Sequence, residues 1–464
     1  MTPLPDDFPK ALVYGLAVAG KSTVRALLRH GYDVIVADDS ITPERLTTAI
    51  ELGVDLIDSS VRSVDELLEG CTMLCPAPGV PETHPIIEAA LARSIETVSE
   101  IELAYRWEQQ RAGGPRPMLA VTATDGKTTT TKLVVHLLGA AGIRSIDAGN
   151  TDTPLVDAIE AIDEAGNELY DAFVVECSSF RLAWTPTFRA NAAAWLNLQP
   201  DHLNWHRSMG TYEAAKAQVF ANQSVNDVAI GFAEDPIVMA QLAKAPGRQC
   251  SFGGPTADYR VENAVLIGPY GNIAPLASLR RRLPHDVTNA LAASALVLET
   301  GLADAPAIAG GLATFVGPPH RLEHIATING IDWYNDSKAT TPHAAAAAIR
   351  SFERIVLIAG GADKGVALAS MAAEPERFEG VLGLGVTGPN IVEMFIAAGV
   401  KAERVVDVQT LESAVAQAAE WASDGDVVLL SPGCASLDQF ENFEVRGDTF
   451  RCLVTALSQE EVSA

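Results

Sequence analysis

Twice in this chain a short apolar run passes through a turn bearing glycine and lysine into a stretch of helical periodicity. Residues 13–23 read VYGLAVAGKST and residues 120–131 read AVTATDGKTTTT. A strand that turns through glycine into a helix is the first half of a βαβ unit, the crossover that a parallel sheet requires. The alternation continues around both turns. ALVYG, YDVIVADD, VDLI and TMLCPAPG read as strands, with KSTVRALLRHG, PERLTTAIELG and SVDELLEG as helices between them. The pattern predicts an α/β chain of mainly parallel sheets with flanking helices.

At 464 residues the chain has room for about three domains of ordinary size. Two stretches punctuate it. RAGGPRPM (111–118) follows a long helical pattern and precedes a new strand, LAVTAT. VGPPH (316–320) precedes a further set of strands, IDWYN, RIVLIAGG, GVLGLGV and DVVLLSPG. Glycine and proline clusters of this kind mark connections, which predicts domains at 1–115, 116–318 and 319–464.

The formal net charge is −26, which argues against a nucleic-acid partner, because phosphate backbones need a basic face. A small anion is still admissible, since a glycine turn and a few lysines can hold one locally. The six cysteines have no C-x-x-C spacing and sit in apolar contexts, as buried reduced thiols do. The opening MTPLPDDFPK has no basic n-region, and no apolar run reaches about 18 residues. The expectation is a cytoplasmic chain with no membrane insertion, acting as a monomer.

The two turns differ in what surrounds them. Gly15, Gly20, Lys21 and Ser22 satisfy the phosphate-loop pattern G-x-x-x-x-G-K-[ST] in full. The strand after them ends in Asp38-Asp39, about where a Rossmann unit places its ribose-binding acid. That favours a nucleoside diphosphate or dinucleotide, with a ligand-free structural turn as the alternative. The second turn lacks a leading glycine. It has instead a downstream strand, YDAFVVEC, ending in Glu176, where a magnesium carboxylate belongs, and then Asp201, His202 and His206 in WLNLQPDHLNWH.

At these residues the sequence resembles the Mur ligase family, the ATP-dependent amide-forming ligases of peptidoglycan synthesis. ATDGKTT, VVECSSFRL, NLQPDHLNWH with TYEAAKAQVF, and LPHDVTNALAA are similar to the family's middle-domain motifs, with Ala123 and Asp286 as departures. PPHRLE, NDSKATTP, IAGGADKG and LLSPGCASLDQFENFEVRGDTF are most similar to its D-glutamate-adding branch. The D-N-P-R motif of the diaminopimelate- or lysine-adding branch is missing from the sequence. The similarity runs essentially end to end.

The resemblance implies Rossmann-like first and third domains around a P-loop ATPase-like central one. It implies ATP and magnesium as cofactors, with two metal sites, and small-molecule substrates: UDP-N-acetylmuramoyl-L-alanine and D-glutamate. Lys127 and the loop residues Thr124, Asp125, Gly126, Thr128 and Thr129 would hold the ATP phosphates. Thr128 and Glu176 would bind one magnesium; His202 and a carbamylated Lys216 would serve a second. Asn289, Arg321 and Asp336 match adenine- and ribose-binding positions, and Lys338 should face the phosphates. Gly15, Ala17, Val18, Asp38 and Asn150 fall to the UDP substrate. Thr340, Lys364, Ser436 and the backbone at Phe443 fall to D-glutamate. Other readings are a related ligase such as the L-alanine-adding or folylpolyglutamate type, a nicotinamide oxidoreductase, and a non-catalytic nucleotide-binding regulator. The oxidoreductase leaves Lys127 and Glu176 unexplained, and the regulator does not need the downstream motifs.

Overall fold

The computed structural model describes residues 9–363 and 365–462. Five parallel strands form the first sheet: β1 (Lys10–Tyr14), β2 (Asp33–Asp38), β3 (Leu56–Asp58), β4 (Met73–Pro76) and β5 (Glu96–Thr97). They lie in the order β3-β2-β1-β4-β5, all parallel. The apolar run ALVY is central because helices cover both of its faces, which is why it carries no polar alternation.

The second sheet contains β6 (Met118–Thr122), β7 (Ser145–Gly149), β8 (Ala172–Cys177), β9 (Ala192–Trp195), β10 (Val228–Phe232) and β11 (Arg248–Phe252). Its order is β11-β10-β9-β6-β8-β7, again parallel throughout. The order places β6 between β8 and β9, so the turn after β6 is flanked by whatever ends those two strands. One element departs from the expected alternation: β12 (Arg260–Glu262), β13 (Val265–Gly268) and β14 (Gly271–Pro275) form a small antiparallel sheet. Its second turn closes over Gly271 at φ 114°, a conformation open to glycine.

The chain divides into two compact units, one ending at Phe315 and one beginning at Val316. The glycine- and proline-rich segment 111–118 therefore lies within the first unit, and two arginines tie it down. Arg116 is buried, ion-paired to Glu108 at 2.7 Å, and donates to the Ile159 carbonyl at 2.6 Å. Arg111 is bidentate to Glu168. A continuous apolar cluster runs from Ala11, Val13 and Val24 to Phe173, Val175 and Trp195, joining the two sheets through one core.

In the second unit, β15 (Glu323–Ile328) and β16 (Ile331–Asn335) make a hairpin through Asn329-Gly330, both at positive φ as a two-residue turn demands. With β17 (Ile355–Gly360), β18 (Phe378–Leu384), β19 (Val405–Gln409) and β20 (Val427–Leu430) they form a sheet in the order β15-β16-β20-β17-β18-β19. All neighbours except the hairpin are parallel. Among the described residues Cys452 is the one exposed cysteine, a correction to the expectation of buried thiols: it sits on the outer face of helix Phe443–Val462.

Candidate active site

The turn after β6 is held open from outside rather than by its own side chains. Gly126, at φ 88°, caps helix Lys127–Ala140, and a Cβ there would stand 3.2 Å from the Asn289 Oδ1. Glycine thus lets helix Pro284–Glu299 bring Asn289, itself buried, against the turn. Asn197, just past β9, clamps the other side. Its Oδ1 accepts from the amides of Thr124 and Asp125, each at 3.0 Å, and its Nδ2 donates to the Asp125 carbonyl. The Thr124 hydroxyl is buried against Tyr212 OH at 3.0 Å and accepts from the Gln199 amide. Thr124 therefore braces the turn, and Gly126, Lys127, Thr128 and Thr129 open the helix. A helix N-terminus aims its backbone N–H groups and the positive end of its dipole at whatever sits there, which is an anion site.

Lys127 folds back over the turn, donating from Nζ to the carbonyls of Ala123 and Thr124, each at 2.8 Å. Lys216, in helix Met209–Ala221, reaches the same Ala123 carbonyl at 2.5 Å. Two lysine amines therefore converge on one carbonyl beside the turn. Lys216 is almost wholly buried and lies over the Tyr212 ring. Burial, reinforced by Lys127, holds its amine well below the ordinary lysine range.

Glu176 is the penultimate residue of β8, opposite Val121, and is buried. Its Oε1 accepts from Asn150 Nδ2 at 2.9 Å, while Oε2, also buried, has no hydrogen-bond partner. A buried carboxylate oxygen without a donor is costly unless something cationic meets it. Among the described residues no group of three or more His, Cys, Asp or Glu forms a ready metal cage. Magnesium does not need one, since it favours one or two carboxylates completed by phosphate oxygens and water. Glu176 beside an anion-binding turn with Thr128 in its first helical residues fits that donor set.

His202 adopts φ 56° just past Asp201, with Nε2 3.3 Å from the Asp201 carboxylate. Burial lowers its pKa; Asp201 opposes this, and Lys127 and Lys216 add to it. The result is a neutral imidazole able to act as a ligand. His206, four residues on, is structural instead: it is buried, with Nε2 2.9 Å from the Ser179 hydroxyl and Nδ1 3.3 Å from Glu82. With Trp205 Nε1 donating to the Pro78 carbonyl, it fixes the His202 segment to the first sheet's loops.

The first turn is built differently. Gly15, at φ 98°, packs against Ala77, and a Cβ on Gly20 would stand 1.9 Å from the Gly15 carbonyl oxygen. Both glycines are there for close backbone approach. Ala17 caps helix Val18–Arg29, leaving Val18 exposed at its tip. Lys21 turns to the outer surface and pairs with Glu51 at 2.8 Å. Ser22 donates to Asp157 at 2.5 Å, tying the helix to the central sheet's flank. Asp38 is buried and braces the turn, accepting from the Leu16 amide at 2.7 Å, the Ser40 amide at 3.0 Å and Arg45 at 2.6 Å.

In the second unit, the loops after β16, β17 and β20 converge at the carboxyl ends of adjacent parallel strands, where open α/β sheets bind ligands. Gly433 donates to the Ala339 carbonyl, and Ala362 pairs with Ala435. Asp336 is buried and accepts from the Leu322 amide at 3.1 Å and Ser431 at 2.8 Å, next to Arg321. Lys338 lies 3.7 Å from the centre of the Phe443 ring, and the Phe443 carbonyl accepts from Ser337 at 2.8 Å. Ser436 is buried in the same loop cluster, and Thr340 follows Lys338 at the turn. Lys364 lies outside the described residues.

Sequence reasoning missed Asn197, Tyr212 and Arg181, each of which orients a residue it did find. Asn197 stands in the quoted WLNLQPDH stretch, and an amide directly after a buried strand was the available signal. Asp286, a departure from the family motif, caps its own helix at the Leu283 amide and pairs with Arg281 at 2.6 Å.

Three family models match the chain. The Mur ligase MurD-like N-terminal domain matches residues 9–99, the Mur ligase middle domain 121–297, and the Mur ligase glutamate ligase domain 320–434. A UDP-N-acetylmuramoylalanine--D-glutamate ligase of Frankia casuarinae is 38% identical over 456 residues, covering 96% of this chain and 93% of the relative. The ligase of the same name from Thermobifida fusca is 37% identical, covering 97% and 98%. Among solved structures, the UDP-N-acetylmuramate-alanine ligase of Thermotoga maritima superposes with a TM-score of 0.56 at 19% identity, covering 98% of this chain and 100% of its own. That likeness establishes the three-domain α/β fold.

Proposed function

The chain belongs to the Mur ligase family, and we propose that it joins D-glutamate to UDP-N-acetylmuramoyl-L-alanine with cleavage of ATP. The observation that carries this reading is the unpartnered Oε2 of Glu176 beside a turn that holds Lys127 and a helix N-terminus. The setting is cytoplasmic synthesis of a peptidoglycan precursor by a monomer, and no helix among the described residues is long and apolar enough to cross a membrane.

Joining a carboxylate to an amine in water is uphill, so the carboxylate must be activated first. The L-alanine carboxylate attacks the γ-phosphorus of ATP, giving an acyl phosphate and ADP. The amine of D-glutamate then attacks the acyl carbon; a tetrahedral adduct forms, loses a proton from nitrogen and expels phosphate. The first step brings two anions together, and the cost falls when cations are already in place. Lys127 exchanges its carbonyl partners for the β- and γ-phosphates, joined by the amides of Gly126, Thr128 and Thr129. Thr124 and Asp125 contribute by keeping the turn open. Thr128 and Glu176 would hold magnesium, which would supply neutralisation of the phosphate charge.

Lys216 is proposed to be carbamylated. Its depressed basicity favours the neutral amine, which attacks carbon dioxide and releases one proton, giving a carbamate. That replaces an amine with an anionic oxygen ligand, which with neutral His202 would serve a second metal beside the acceptor. Asn289, Arg321 and Asp336 are assigned to adenine and ribose, and Lys338 to the phosphates. Gly15, Ala17, Val18, Asp38 and Asn150 are assigned to the UDP substrate, and Thr340, Lys364, Ser436 and Phe443 to D-glutamate. The test is phosphate release from ATP in the presence of the UDP-sugar, with D-glutamate, L-glutamate, L-alanine or diaminopimelate as acceptor. D-glutamate alone should support turnover; release with L-alanine or diaminopimelate instead would replace this assignment with another ligase of the family.

A further inference from the structure

We infer that Arg181 is a positioning residue for the metal-facing carboxylate of Glu176, acting through Asn150 with Glu100 as its buried counter-charge. The inference rests on the proposed metal role of Glu176. The four side chains form one chain of hydrogen bonds, and none of them is exposed. Glu100, in the first turn of helix Glu100–Gln109, accepts from Arg181 Nε at 3.0 Å through Oε1. Its Oε2 accepts from the amides of Leu155 at 3.0 Å and Val156 at 3.3 Å. Arg181 Nη1 donates to Asn150 Oδ1 at 2.6 Å, and Asn150 Nδ2 donates to Glu176 Oε1 at 2.9 Å.

The order of donors and acceptors gives the chain its direction. An asparagine amide has one accepting and one donating end of nearly equal shape, so packing alone does not choose which end faces Glu176. A guanidinium on Oδ1 does choose, because the flipped amide would set NH2 against the cation and its oxygen against the carboxylate. With the amide fixed, Oε1 of Glu176 is occupied and Oε2 alone is left for a cation. The backbone holds the same arrangement: the Asn150 amide donates to the Glu176 carbonyl at 2.9 Å, and Gly149, at φ 93°, lacks the Cβ that would stand 2.7 Å from that carbonyl. Glu100 is what makes an arginine tolerable so close to a metal site, since it neutralises the guanidinium on its far side. Groups that orient a metal ligand without touching the metal change affinity by about 10- to 100-fold when removed.

The test uses the full chain with ADP and Mn2+, following free Mn2+ by electron paramagnetic resonance. Removing both buried charges together, in Arg181→Met/Glu100→Gln, avoids leaving one unpaired and keeps the fold, checked by Tm. Mn2+ affinity in the presence of ADP should fall about tenfold or more, while ADP affinity without metal stays within twofold. Arg181→Lys, which keeps a cationic donor for Asn150, should recover part of the loss. Mn2+ affinity within twofold of wild type in the folded double variant overturns the inference. Glu176→Gln separates the two readings. If it weakens Mn2+ binding and the double variant does not, only the role of Arg181 fails; if it has no effect, the metal assignment fails and this inference with it.

Discussion

The two glycine turns begin alike, as a parallel strand entering a helix, and end in different chemistry. The first matches the phosphate-loop pattern letter for letter, yet its lysine faces outward to Glu51 and its serine is bonded to Asp157. The second lacks the leading glycine, yet its lysine lies over the turn and an unpartnered carboxylate oxygen sits on the adjacent strand. The pattern records where the backbone bends. It does not record where the lysine points, which depends on what stands next to the helix. Glu51 lies 30 residues beyond Lys21 in sequence, whereas Lys127 donates to the carbonyls of its own turn.

The largest effect that could break this contrast belongs to Lys127→Ala. Removing a transition-state cation costs on the order of a hundredfold or more in kcat, and steady-state phosphate release measures it. A Lys127→Ala enzyme with near-wild-type kcat would mean that the second turn is not the ATP site.

Lys216→Ala should come next, with activity nearly abolished and partly restored by a short carboxylic acid that fills the vacated space. The wild-type enzyme offers a second check. Its amine pKa is lowered in the fold, so more of the neutral form that captures carbon dioxide is present at a given pH than for an ordinary lysine, and that form is lost as pH falls. Enzyme stripped at low pH should therefore regain activity on return to neutral pH with bicarbonate, faster than without it. A fully active Lys216→Ala variant removes the residue from the mechanism.

How much of this was legible in sequence follows from the range of each interaction. The parallel sheets were legible because apolar runs and glycine turns are local signals. The place of Glu176 near the end of the strand beside the lysine turn was legible because an acid at the end of an apolar run after such a turn follows a known spacing. The antiparallel β12–β14 sheet was not: VLIG and GNIAP carry no helix between them, but nothing local says that they pair with each other rather than extend the parallel series. Nor were Glu100 and Arg181, which are 81 residues apart and meet only because the first helix beyond β5 packs on the central sheet. The segment 111–118 shows the same limit. Its glycines and prolines mark a connection, while Arg116 within it and Glu108 just before it, both buried and paired, decide that the connection is held fast.

A smaller effect sharpens the contrast through glycine. Gly20→Ala places a Cβ where the Gly15 carbonyl oxygen already is, at 1.9 Å, so the helix must move off its strand. The expected cost is about 1–3 kcal/mol of stability, seen as a drop in Tm of several degrees. At Gly126 the obstacle is the Asn289 side chain at 3.2 Å and a positive φ, so Gly126→Ala should lower ATP affinity more than Tm. The reverse pattern would make Gly20 the ligand-facing glycine.

The smallest effect is the most pointed, because it falls on the residue that the motif alone would rank first. Lys21 is about one-third exposed and its partner Glu51 more than half. Exposed pairs of this kind contribute roughly 0–1 kcal/mol, and salt screens them. Lys21→Ala should therefore leave kcat unchanged, move Tm by no more than about two degrees, and alter the KM for the UDP-sugar by less than about twofold. Measuring that KM at low and high ionic strength separates two cases. A change confined to low salt reports the loss of a distant charge near the diphosphate, which fits an outward-facing lysine. A tenfold rise in KM that persists at high salt would require Lys21 to leave Glu51 and contact the substrate directly. The first turn would then be a working phosphate site as well, and the contrast between the two turns would reduce to which phosphates each one holds.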